Sequence, residues 1–159
     1  MRKRDAFWQA IFDGEQIAWP SSHDERQKLA SRILGASIIG AAEHVLSDAL
    51  RRADGTPPEP GSSDYPALLR DAEVLQTLSP AQRDVVQRLL RRTAYFALYW
   101  PLVKAGNLPG ALLDLTVTPT SANSSDAPLT LTDFSSPHTL FHQWVEEFGE
   151  ILDREADEP

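Results

Sequence analysis

His138, His142 and Glu146 stand four residues apart in a segment with helical patterning, which would set all three side chains on one face of a helix. Two imidazoles at that spacing can share a metal ion. His44, in the middle of a second apolar-periodic segment, could supply a third nitrogen if the two helices are neighbours. One reading of the chain is therefore a metal-dependent helix-bundle enzyme with a three-histidine site at His44, His138 and His142. Di-iron chemistry is a different matter, because it needs Glu-x-x-His pairs and the sequence contains none. In the plainer reading His138 and His142 line the polar side of an amphipathic helix, and His44 is a half-buried helix residue.

Other chemistry is scarce in the 159 residues. There is no cysteine, which removes disulfides, thiolate metal sites and cysteine nucleophiles. No glycine-rich phosphate loop, nucleophile elbow, His-Glu-x-x-His or calcium loop occurs, and Gly106 to Gly110 reads as a turn. No cofactor is expected.

Charge is distributed unevenly. Residues 105–159 hold ten acids and one base, Arg154, a net of −9, while residues 1–104 hold 14 bases and 13 acids, within a chain whose formal net charge is −8. Glu146, Glu147, Glu150 and Asp153 are expected on the outer side of the last helix, where their field would attract cations and repel nucleic acid. The favoured functional reading is a non-enzymatic cytoplasmic binding protein, immunity- or antitoxin-like, whose acidic C-terminal third contacts a basic protein partner. Arg51, Arg52, Arg88, Arg91 and Arg92 have no aromatic residues interleaved and lie near Asp48, Asp54 and Asp84, so nucleic acid is not an expected partner. The basic start at Met1 to Asp5 is followed by a short apolar stretch that Gln9 and Asp13 interrupt, so neither a signal peptide nor a membrane anchor is expected there.

The elements that must position these residues follow from caps and periodicity. Ser22-His23-Asp24-Glu25 is a capping box that starts a long helix, with Leu29, Ile33, Ala36, Gly40, Ala41, Val45 and Ala49 among its apolar positions. Its small residues, Gly35, Ala36, Ser37, Gly40 and Ala41, invite close approach by another helix, although each glycine costs about 1 kcal/mol relative to alanine. Ser79-Pro80-Ala81-Gln82 starts another helix, apolar on every side from Ala94 to Trp100 and so expected at the centre of the core, with Phe96 and Trp100 buried. Pro101 should kink or end it. A last helix from Ser136-Pro137 carries Leu140, Phe141, Trp144, Val145, Phe148, Ile151 and Leu152 as an aromatic stripe.

Shorter helices are expected at 5–13 and 66–78, and a small hairpin between Gly110 and Thr132, where Leu115 and Val117 alternate with Thr116 and Thr118. The proline-rich 53–66 and polar 119–128 stretches read as loops. These features predict a mainly α fold: one compact bundle of about five helices over residues 1–152, with one small β-hairpin before the C-terminal helix and an acidic tail at 153–159.

Overall fold

The computed structural model describes residues 6–13, 17–58, 60–61, 65–106, 114–119, 127–132 and 135–152. The fold is mainly helical with a small antiparallel sheet, as the sequence predicts. In chain order the elements are α1 (Ala6–Phe12), α2 (His23–Ala53), α3 (Tyr65–Gln76), α4 (Pro80–Gly106), β1 (Thr116–Val117), β2 (Leu129–Thr130) and α5 (Pro137–Phe148).

The caps behave as their residue types dictate. At the start of α2 the Glu25 amide donates to the Ser22 hydroxyl at 3.3 Å, and that hydroxyl donates to the Glu25 carboxylate at 3.0 Å. At the start of α4 the Gln82 amide reaches the Ser79 hydroxyl, and the Gln82 side-chain carbonyl accepts from the Ser79 amide at 2.9 Å, which closes a reciprocal capping box. Ser136 caps α5 without a side-chain bond to the backbone, and Pro137 follows it at a position where no amide partner is needed.

The 31-residue α2 runs unbroken through Gly35 and Gly40, about 46 Å of helix, and α1, α3, α4 and α5 all pack against it, α5 the most extensively. Gly35 explains why. A methyl group built on it would lie 2.2 Å from Cδ1 of Trp144, so α5 can seat its tryptophan against α2 only where the side chain is absent. Trp144 Nε1 then donates to the Ser31 hydroxyl one turn earlier, at 3.1 Å. The close approach expected at the small residues of α2 is thus made by α5, through one ring.

The rest of the α5 stripe is equally buried: Leu140, Phe141, Val145 and Phe148 join Ala30, Ala36, Ile39 and Leu46 of α2 and Trp8 of α1 in one core. The hairpin closes an end of it. Thr116 pairs with Thr130 and Val117 with Leu129, Leu129 and Leu131 turn inward, and the Gln27 side chain donates to the Thr130 carbonyl at 2.9 Å. Two residues per strand make a smaller hairpin than the alternation suggested.

Three sequence expectations are corrected by the packing. First, α4 is peripheral: no residue from Pro80 to Lys104 is fully buried, Phe96 is half-buried and Trp100 is 50% exposed. An all-round apolar helix need not be central when one of its faces has nothing packed upon it. Phe96→Ala is accordingly expected to cost about 1–2 kcal/mol, since only part of the ring leaves water on folding; chemical denaturation measures it, and a loss above about 3 kcal/mol would place the ring in the core after all. Second, of the kink or end expected at Pro101 the end does not occur, and α4 runs on to Gly106. Third, the side of α2 that is buried follows Ser31, Gly35, Ile39, Glu43 and Leu46, whereas Val45, placed among the apolar positions of the sequence, is 69% exposed. By length and composition alone α2 is apolar enough to cross a membrane, a property that core helices also have.

Candidate functional site

The three histidines occupy different surroundings. His44 is exposed on α2 between two clefts, one of about 680 Å³ towards α1 with Gln9, Glu43 and Glu150, the other of about 400 Å³ towards α3 with Asp48, Arg51 and Leu68. His142 lies against α4 instead: its ring centroid is 5.3 Å from that of Tyr99, and Nδ1 is 3.2 Å from the Tyr95 hydroxyl. His138 Nδ1 is 3.2 Å from the hydroxyl of Ser136 at the start of α5. Among the described residues no group of three His, Cys, Asp or Glu side chains is placed to hold a metal ion. The spacing of four did put His138 and His142 on one helix, but the ring of His142 is drawn into the aromatic cluster of Tyr95, Tyr99 and Phe141, and His44 turns to the clefts on the far side of α2.

Of the acidic residues, Glu146 and Glu147 are exposed on the outer side of α5, opposite Trp144 and Phe148. Glu147 forms an ion pair with Arg32, whose guanidinium also stands over the Phe7 ring at 4.1 Å. Glu150 is exposed but not helical, because α5 ends at Phe148 with Gly149 as its cap. This corrects the expectation that the last helix carries the stripe on through Ile151 and Leu152. Asp153 lies outside the described residues, as does the acidic tail.

The side chain that ends α5's run is one that sequence reasoning missed. Glu43 is 2% exposed, and its Oε1 accepts the backbone amides of Glu150, Ile151 and Leu152 at 2.6, 2.7 and 3.1 Å. Three amides that would otherwise continue the helix or face water are gathered on one carboxylate from another element. Its signal was present: within the apolar row Ala36, Ile39, Gly40, Leu46 and Leu50 of α2, Glu43 is the acid at a core position. A carboxylate so engaged serves as an anchor, and the neighbouring His44 and Ser47 line the cleft outside it.

Comparison with protein-family models, with curated proteins and with solved structures finds no match to the chain. The functional reading therefore rests on the surface itself.

Proposed function

We propose that this is a binding protein that engages a basic protein partner through the acidic outer face of α5 and the turn that follows it. The observation that carries the proposal is the division of α5 into a wholly buried apolar side and an exposed side bearing Glu146 and Glu147, with Glu150 exposed just beyond. These acids belong to a C-terminal third with a net charge of −9, so their field is not cancelled by neighbours in sequence. Arg32 offsets one charge, at Glu147. In the immunity or antitoxin form of the proposal the partner is a toxic basic protein, and co-expression of this chain restores growth.

The test is the triple variant Glu146→Gln, Glu147→Gln, Glu150→Gln. Its stability is expected within about 1 kcal/mol of the parent, since all three acids are exposed and the ion pair of Glu147 with Arg32 is itself more than a third exposed. Capture of a basic protein from the native host should fall, mainly through a slower association rate, and the parent's capture should fall in the same way as salt rises past the point where charges are screened beyond about 8 Å. Equal yields for parent and variant at low salt would show that the acids only solvate the helix.

A further inference from the structure

On the α3 side of α2, His44, Ser47, Asp48 and Arg51 follow one another at spacings of three, one and three, so they form one stripe about 10 Å long lining the cleft of about 400 Å³. Arg52 adjoins the stripe, and Pro58 and Leu68 supply the apolar lining. Asp48 organises the arginines. Its Oδ1 accepts from Nη2 of Arg51 at 3.0 Å and its Oδ2 from Nη2 of Arg52, so two guanidiniums share one carboxylate and leave a surplus positive charge in a chain of net charge −8. Arginines at a helix C-terminus often cap its last carbonyls, but here the Gly55 and Thr56 amides already donate to the carbonyls of Arg52 and Arg51, at 2.8 and 3.0 Å. The remaining donors are uncommitted. Among the described residues Asp48 is the sole side-chain partner of either guanidinium, and neither the His44 ring nor the Ser47 hydroxyl has a hydrogen-bond partner. Nε of Arg52 is moreover buried with no partner, a state that folded chains avoid for polar groups.

We infer that this cleft binds a soluble phosphate monoester, its phosphoryl oxygens held by Arg51 and Arg52 beside Ser47 and His44, and its organic body lying on Leu68 and Pro58. Guanidiniums already oriented by a shared carboxylate offer paired N–H donors that match phosphate oxygens, with little rotamer freedom left to lose. Donors from four side chains suit the three terminal oxygens of a phosphoryl group better than the two of a carboxylate. Turning the Arg52 guanidinium onto the anion also gives its buried Nε an acceptor. The volume lies within the roughly 300–1,000 Å³ typical of small-ligand sites. A long polyanion is repelled by the chain as a whole, whereas one small dianion meets only the local surplus of positive charge. Glu43 and Glu150 line the neighbouring cleft beyond His44, so the ligand extends towards α3 and not towards α1. This inference is independent of the acidic face of α5.

Calorimetric titration with phenyl phosphate, inorganic phosphate and benzoate, paired with amide chemical shifts from nuclear magnetic resonance, tests it. Phenyl phosphate should bind at least about tenfold more tightly than inorganic phosphate, which lacks the body, or benzoate, which lacks the phosphoryl group. The shifts should centre on residues 44–52 and Leu68, and affinity should fall as salt rises. Arg51→Gln should weaken binding about tenfold with an unchanged far-ultraviolet circular dichroism spectrum, because the Arg51 side chain is 58% exposed. Should that variant misfold, Ser47→Ala provides a milder probe with a smaller loss in the same direction. Leu68→Ala should weaken phenyl phosphate severalfold while leaving inorganic phosphate unaffected, which separates the two halves of the cleft. An absence of heat and shifts at millimolar phenyl phosphate, benzoate binding as tightly as phenyl phosphate, affinity indifferent to both Arg51→Gln and Ser47→Ala, or binding confined to phosphatidic acid vesicles would overturn the inference.

Discussion

Trp144→Ala is expected to destabilise the protein by about 3–5 kcal/mol, which in a chain of this size lowers the melting temperature by about 6–20 °C. The ring is 2% exposed and fills the seam between α5 and α2, and its Nε1–H is bonded to the Ser31 hydroxyl, so truncation removes packing and also leaves that buried hydroxyl short of a partner. The partner experiment is Gly35→Ala. In an open helix this change should stabilise by up to about 1 kcal/mol, but here the new methyl would stand 2.2 Å from Cδ1 of the indole, and overpacking of about 1–3 kcal/mol outweighs the gain in propensity. The sign should reverse when the ring is gone. In the Trp144→Ala background the Gly35→Ala methyl enters the vacated space and becomes neutral or stabilising, so a thermal double-mutant cycle should show strong non-additivity. Additive losses would mean that Gly35 and Trp144 do not define the α2–α5 approach.

Glu43→Ala is the second large effect, expected at about 3–5 kcal/mol. It withdraws the acceptor from three amides at once, and each buried donor left unpaired costs about 1–3 kcal/mol, a total reduced to the extent that the turn at 150–152 opens to water. Glu43→Gln keeps a carbonyl oxygen of similar reach and loses only the charge assistance, so it should cost about 1–2 kcal/mol. Hydrogen exchange distinguishes a local from a global loss: in the alanine variant the amides of Glu150, Ile151 and Leu152 should exchange much faster than those of α2. If the two variants are equally stable, burial of Leu152 rather than the carboxylate holds the turn in place.

The sequence by itself determined what depends on neighbours three or four residues away. Ser22 with Glu25 and Ser79 with Gln82 define helix starts because both partners of each cap lie within one turn. The stripe from Leu140 to Phe148 specified the inner side of α5 for the same reason, and with it the outward placement of Glu146 and Glu147. The clustering of acids in the last third was likewise legible as composition, without any knowledge of the fold.

Tertiary structure decided how those elements use faces that are apolar more than once around. Helix α2 offers two such sides, and the indole of Trp144 selects the one where Gly35 leaves room, which turns Val45 to water. Helix α4 is apolar all round from Ala94 to Trp100, yet only the sides meeting α2 and α5 are covered, so Trp100 stays half exposed. The end of α5 was equally beyond local reading: the amides of residues 150–152 have a carboxylate 107 to 109 positions away that competes with the helix for them. The separation of His44 from His142 has the same origin, since a helical period fixes which residues share a face but not which neighbour that face will meet. Periodicity records the burial a segment can make, and the choice among equivalent faces is settled by shape and by buried polar groups finding their partners across the chain.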